Sequence, residues 1–410
     1  MPDTTWEKTT EAEMRAFLGI NIMMGIVQLP DSRLYWSSNP LLRQEGIART
    51  MTCSRFHKLV QYFHDADRAA EHARGHPAYD RLFKVRPVID VIGETCCDVY
   101  HLSREASIDE AMIAFTGRLS IIQYMLKKPI KRGIKVWVMC DANTALMSRF
   151  ELYLGRQNDE REHGLGYNLV MKLSDNIRHT HRFLFFDNVF TSIPLMEHLL
   201  MHGLYACGTV CVNRNGYLAA LKNPKMVPRR GDFTILQKGQ SNLTANVWKD
   251  KKPVHLLPTL SDPTIVTKAT RRVGADAVDV DQPHCVYDYN RFMSGVDTFD
   301  QHRGNYDVGR KGKKAWRYLC WFLLNAAIIN AFVLYQATSR RQLRKRRYRH
   351  LAFRLELVEQ LIGGFSGRKR KANPFDARVL SQRRTPGSTS ASTWGQAAEM
   401  CIPFKGEERA

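Results

Sequence analysis

Three short segments each place an aspartate where a metal-binding acid could stand: Ser107-Ile108-Asp109-Glu110, Phe185-Phe186-Asp187-Asn188 and Gly295-Val296-Asp297-Thr298-Phe299-Asp300. The first two acids follow apolar, strand-like runs. Asp297 and Asp300 are three apart, so on a helix their carboxylates share one face. Hard oxygen ligands converging from distant segments suit Mg²⁺ or Mn²⁺. Two such ions can activate an attacking oxygen and stabilise a leaving one. The charge of the chain points to the substrate. Sixty-one Lys and Arg against forty Asp and Glu leave a net charge of +21. An excess of that size favours a polyanion partner through phosphate neutralisation. Together these features suggest cutting or joining of a nucleic-acid backbone.

Each acid also has a plainer reading. An Asp after an apolar run is usually a turn or helix-cap residue, and Asp300 could simply face water. Glu110 adjoins Asp109 and so points elsewhere on a strand. Asp141 reads best as the turn of Asp141-Ala142-Asn143, and His163, His179 and His181 as loop histidines.

The acids need elements to position them. Residues 5–105 read as helical, with a helix start at Thr10-Glu11-Ala12-Glu13 and a break at Pro30-Asp31-Ser32. The texture changes at Ser107. Strand candidates run over Ile108–Phe115, Lys135–Cys140, Met147–Leu154, Arg182–Phe186 and Leu204–Val212, with helices at Gly164–Leu173 and Ser192–His202. That order, three strands and then alternating helix and strand, is the order of an RNase H-like sheet. Residues 213–280 are rich in Asn, Gly, Pro and Lys and read as a small β-rich insertion. Pro283–Asp300 turns helical, Ala315–Ala337 is a strongly apolar helix, and Arg354–Ile362 has amphipathic spacing. From Gly363 onward the Gly/Ser/Arg-rich composition reads as disordered.

Between the last two helices lies a dense basic run containing Arg340, Arg341, Arg344, Lys345, Arg346, Arg347 and Arg349. It suits phosphate contact, and together with Lys369-Arg370-Lys371 it equally suits nuclear import. No secretory signal is visible, and no apolar run reaches the roughly 18 residues that a bilayer requires. The nine cysteines show no zinc spacing and read as buried thiols of a reducing compartment.

The chain resembles the piggyBac-type transposases. Met14-Arg15-Ala16-Phe17-Leu18-Gly19-Ile20 with Met24-Gly25-Ile26-Val27 resembles the family's opening motif. Ser107-Ile108-Asp109-Glu110, Phe115, Gly117-Arg118, Lys127-Lys128-Pro129, Gly133-Ile134-Lys135 and Tyr153-Leu154-Gly155 are similar to its first catalytic segment. Asp187-Asn188-Val189-Phe190-Thr191-Ser192 resembles the second acid motif. Tyr289-Asn290, Gly295-Val296-Asp297 and Asp300-Gln301 resemble the third, and Trp316, Asn325, Asn330-Ala331-Phe332 and Tyr335 the helix after it.

The resemblance implies an α/β, RNase H-like (retroviral integrase-like) catalytic domain with a β-rich insertion, flanked by a split helical dimerisation and DNA-binding region. The implied boundaries are 1–105 and 304–362 for the helical region, 106–212 and 281–303 for the catalytic domain, 213–280 for the insertion and 363–410 for a basic tail. Asp109, Asp187 and Asp297 match the family's three catalytic acids, and Asp300 a nearby fourth, with two Mg²⁺ or Mn²⁺ ions expected. The implied partners are double-stranded DNA and a second copy of the chain, with no membrane and no small-molecule substrate, in the nucleus. The implied activity is strand cleavage and transfer at transposon ends with TTAA targets. The family's zinc-binding Cys-rich domain has no counterpart here, since only Cys401 follows Cys320. No structural zinc is therefore expected, and a domesticated or truncated DNA-binding derivative without transposition activity is the alternative.

Overall fold

The computed structural model describes residues 6–126, 128–155, 164–260, 262–274, 276–309, 312–338 and 349–367. His163, the basic residues from Arg340 to Arg347, and Lys369-Arg370-Lys371 lie outside the described residues. In chain order the elements are α1 (Glu11–Ile26), α2 (Glu45–Thr50), α3 (Cys53–Tyr62), α4 (Arg86–Asp98), β1 (Glu105–Ala114), β2 (Ile122–Tyr124), β3 (Arg132–Asp141) and β4 (Met147–Leu152). There follow α5 (Leu165–Leu173), β5 (Phe183–Phe186), α6 (Ile193–Met201), β6 (Tyr205–Thr209), β7 (Phe233–Gln237), β8 (Thr244–Lys249) and β9 (Pro253–Pro258). The rest are β10 (Val266–Val273), β11 (Asp276–Pro283), α7 (His284–Phe292), α8 (Gly295–Asn305), α9 (Ala315–Ala337) and α10 (His350–Ile362). The chain forms two compact units: Cys96–His302, and Met1–Thr95 with Arg303–Ala410.

The first unit is built on one sheet ordered β2-β3-β1-β5-β6-β9-β8-β7, with β4 also paired to β3. β1 runs antiparallel to β3 and parallel to β5, and β5 parallel to β6. The helix between β5 and β6 supplies the crossover that parallel neighbours need. Side chains alternate between faces. One face carries Ile108, Leu184 and Phe186 and is packed by Leu169 and Val170 of α5 and Leu195, Met196 and Leu199 of α6. The opposite face carries Phe185 and Cys207 and is packed by Cys285, Val286, Tyr289 and Phe292 of α7. Both faces being covered explains why β5 is an unbroken apolar run, Phe183-Leu184-Phe185-Phe186.

The expected antiparallel start and later strand–helix alternation are present, in the RNase H-like order. Two features differ from the expectation. β1 starts at Glu105 rather than at the expected Ile108, so Asp109 stands well inside it rather than near its start. The β-rich segment 213–280 is not all separate from the main sheet. β9 pairs with β6, and β8 and β7 extend the sheet outward, while only β10 and β11 form their own two-stranded ribbon.

In the second unit α1 starts as its sequence predicts, with the Thr10 hydroxyl accepting the Glu13 amide at 3.2 Å. α1, α9 and α10 share an apolar core containing Phe17, Ile20, Leu324, Ile328, Phe353 and Val358. Gly25 lets α1 approach the Asp307 backbone, where a Cβ would come within 2.8 Å of a carbonyl oxygen. α9 corrects the expectation that no apolar run is long enough to span a bilayer. It is 23 residues long and apolar enough, but 67% of its most apolar window is buried, as in a core helix of this unit.

Candidate functional site

The register of β1 and β5 determines where two of the acids meet. Their parallel pairing runs from Glu105↔Phe183 to Ile108↔Phe186. Asp109 and Asp187 are the next residues on the two chains, on strands spaced about 4.8 Å apart. β5 ends at Phe186 because the chain turns there. The Asp187 carboxylate accepts the Val189 amide at 2.8 Å, and its carbonyl accepts the Thr191 hydroxyl at 2.8 Å. Ser192 then caps α6.

The third segment reaches β1 through a glycine. A Cβ on Gly295 would overlap Ser107 Oγ and lie 3.1 Å from the Ala142 Cα. Only hydrogen there allows the start of α8 to rest on β1 and the turn after β3. Asp297, in the first turn of α8, is thereby carried toward the same part of the sheet. Asp297 is exposed and Asp300 half-buried.

One lysine ties these acids together. Lys128 Nζ lies 3.6 Å from Asp109 Oδ2 and 3.6 Å from Glu110 Oε1, and donates to the Glu110 carbonyl at 3.4 Å. Burial lowers the lysine's proton affinity, but the carboxylates of Asp109, Glu110 and Asp297 outweigh it, so its pKa is raised. Lys135 Nζ stands 3.9 Å from Glu110 Oε2, an oxygen with no hydrogen-bond partner.

Asp109 is pushed up to about 7, by burial first and then by the Glu110 charge, with Lys128 opposing. Asp187 is also raised, by burial first; the Val189 amide pulls it down, Glu110 raises it, and Lys128 and Lys135 lower it. Tyr289, hydrogen-bonded to Thr209 at 3.5 Å, is pushed up to about 12 by burial, with Asp187 and Asp109 among the charges it feels. Asp109, Asp187 and Asp297 thus share one electrostatic neighbourhood centred on Lys128. Asp300 instead acts on the buried Cys140 thiol, which burial, Asp300 and Asp141 hold well above its ordinary value.

The acids do not form a finished ligand set. Among the described residues, no three His, Cys, Asp or Glu side chains are grouped to hold an ion. The donors nevertheless fit a hard divalent cation. They are carboxylate oxygens, one carries a charge that its surroundings undercompensate, and an adjacent carboxylate oxygen is buried without a donor.

Asp141 is a turn acid, in agreement with its sequence. It accepts the Ser103 amide at 2.7 Å, the Asn143 amide at 2.9 Å and the Thr144 amide at 3.0 Å. His179 and His181 are exposed loop residues. Of the basic run, only Arg349 is described, exposed at the start of α10. Sequence reasoning misses Glu110 and Lys128 as members of the acid neighbourhood. Strand alternation predicts that Glu110 turns away from Asp109, yet the two carboxyl groups interact directly and Lys128 Nζ lies 3.6 Å from each.

The order of the sheet, with Asp109 and Asp187 side by side on adjacent strands, defines an RNase H-like class of fold, and comparison with known proteins agrees. The family described as Transposase IS4 matches residues 2–332, so the chain belongs to that family. Within it the chain is of piggyBac type. PiggyBac transposable element-derived protein 3 of Homo sapiens is 28% identical over 341 residues, covering 80% of this chain and 55% of that protein. PiggyBac transposable element-derived protein 2 of Homo sapiens is 29% identical over 347 residues, covering 81% of this chain and 57% of that protein. The chain thus spans a little over half the length of these relatives. A cryo-EM structure of a piggyBac transposase synaptic complex with hairpin DNA matches with a TM-score of 0.77 and 27% identity, covering 97% of this chain and 82% of that one.

Proposed function

We propose that this chain binds duplex DNA and carries out metal-dependent strand cleavage and strand transfer at transposon ends, with TTAA target sites, as a DDD-type phosphodiester transferase. Asp109, Asp187 and Asp297 would hold two Mg²⁺ or Mn²⁺ ions, with Asp300 close by. The observation that carries the reading is the parallel register that sets Asp109 and Asp187 side by side on adjacent strands. Such ions, when bound, supply an activated attacking oxygen and charge stabilisation for the leaving one.

The chain's own residues prepare the site. Burial raises the Asp109 pKa to about 7, so this carboxyl would have to be in its ionised form to hold a metal ion. Lys128 and Lys135 offset the remaining carboxylate charge. The solved relative holds hairpin DNA in a synaptic complex. By that likeness this chain would act on DNA as an assembly of copies, a homodimer at least; its basic runs, which suit nuclear import, motivate the further proposal that it acts in the nucleus.

A non-catalytic DNA-binding derivative is the second reading. It is favoured by the ungrouped acids and by the lysine seated among them. Nicking of supercoiled DNA by the purified chain in Mg²⁺ separates the two. The wild type should nick. Asp187→Asn should abolish nicking while DNA affinity stays the same or rises slightly, because one charge repelling phosphate is gone and an amide is a poor Mg²⁺ ligand. Nicking by Asp187→Asn at the wild-type rate would refute the assignment.

A further inference from the structure

The turn between β2 and β3 has a purpose that hairpin closure alone does not explain. The Met125 amide donates to the Lys131 carbonyl at 2.7 Å, and the Lys128 amide to the Met125 carbonyl at 3.2 Å, so the turn holds Lys128 in a fixed position. Gly133 allows β3 to run directly against β1, since a Cβ there would overlap the Ile113 carbonyl. β5 stops opposite Ile108, which leaves the β1 backbone beyond that point with no strand on that side among the described residues. Lys128 fills the vacant edge. Its ammonium touches the Glu110 carbonyl, Asp109 and Glu110 at once. A surface lysine gains little from one exposed carboxylate. Here the side chain is only 27% exposed and faces carboxylates that are themselves 17% and 5% exposed.

We infer that Lys128 is the built-in counter-cation of the acid site: it neutralises Asp109 and Glu110 while no metal is bound, and the first divalent ion must displace it to enter. The inference rests on the metal reading proposed above. Both cations seek the same Asp109 oxygens, and the positive charge of either repels the other at such separations. The lysine therefore sets how much divalent ion is needed to load the site, and it prevents two unpaired carboxylates from facing each other before loading.

The test is Mn²⁺ binding to the full chain, followed by electron paramagnetic resonance of free Mn²⁺, together with thermal melting in EDTA and in saturating Mn²⁺. Lys128→Met should bind Mn²⁺ about tenfold more tightly than wild type. It should melt lower in EDTA, and Mn²⁺ should erase that deficit because the ion takes over the lysine's role. Lys128→Arg keeps the charge and should bind Mn²⁺ like wild type. Equal or weaker Mn²⁺ binding by Lys128→Met, or a melting deficit that Mn²⁺ leaves unchanged, overturns the inference while leaving the metal reading intact. Failure of wild type and Lys128→Met alike to bind Mn²⁺ any better than an Asp109→Asn control overturns both.

Discussion

Arg354 in the helical unit and Asp109 in the sheet unit are both ionic groups removed from water, and their surroundings differ in kind. Arg354 is fully buried, and every arm of its guanidinium is engaged. Nε donates to His350 at 3.0 Å, one terminal nitrogen to the Tyr306 carbonyl at 2.9 Å, and the other to Asn325 at 3.4 Å. Asn325 in turn donates to Asp307 at 3.0 Å, which brings a counter-charge within one side chain. Burial lowers the arginine's pKa to about 10, so the group stays charged at neutral pH. Asp109 has one amide and a lysine 3.6 Å away, a like charge beside it, and a pKa raised to about 7. A buried charge that is fully satisfied fixes helices to one another, whereas one left undercompensated keeps binding capacity for something else.

The largest expected effect breaks the satisfied side of the comparison. Arg354→Ala should cost the helical unit about 3–5 kcal/mol in chemical denaturation, because Asn325 and the Tyr306 carbonyl are left without their donor inside the core and Asp307 without its counter-charge. Arg354→Met, which keeps the volume, should cost less. Equal losses in the two would assign the effect to the network rather than to packing, since both remove the guanidinium and only Arg354→Ala also removes volume.

Next comes the seat of the third acid. Gly295→Ala places a methyl against Ser107 and the Asp141–Ala142 backbone and should destabilise the sheet unit by about 1–3 kcal/mol. A neutral result would mean that α8 can shift away from β1 without cost.

Asp109 should respond in the opposite direction to Arg354. Its folded pKa of about 7 exceeds the ordinary 3.8, so between those values the folded state binds more protons than the unfolded one. The contribution of Asp109 to metal-free stability should therefore be fullest below about pH 4 and decline as pH rises through 7. Asp109→Asn should flatten that decline and raise metal-free stability at pH 8 by roughly 1–2 kcal/mol. Loss of stability in Asp109→Asn at pH 8 would place Asp109 with the structural charges.

The smallest effect on stability, and the one confined to DNA, concerns the basic run. Replacing Arg340, Arg341, Arg344 and Arg346 with Ala should lower the log–log salt slope of DNA binding by about 0.9 for each phosphate that is no longer neutralised, equally for all duplexes. An unchanged slope would leave nuclear import as the better account of the run.

The sequence is legible where the signal is local. Thr10 caps α1, α9 has the bounds its apolar run suggests, and Asp187 follows the apolar β5. Asp109 is recognisable as an acid within the strand candidate Ile108–Phe115, but the true start of β1 is hidden because the strand opens on the charged Glu105. The joining of β9 to β6 is not legible either. It pairs Cys207 with Pro258 across a segment whose own composition suggests only loops and short strands. Lys128 stands in the sequence as one of two adjacent lysines before a proline. Its role comes from a hairpin turn aligned with the end of a strand that lies far along the chain, and no spacing rule connects the two.

The central claim is that Asp109 and Asp187 jointly bind a divalent metal, and anomalous diffraction from crystals of the chain with Mn²⁺ and duplex DNA tests it most directly. The account predicts a Mn²⁺ peak about 2.0–2.3 Å from carboxylate oxygens of both residues, with the Lys128 ammonium moved off Asp109. A peak bound elsewhere, or Lys128 still seated on Asp109 at saturating Mn²⁺, would contradict it.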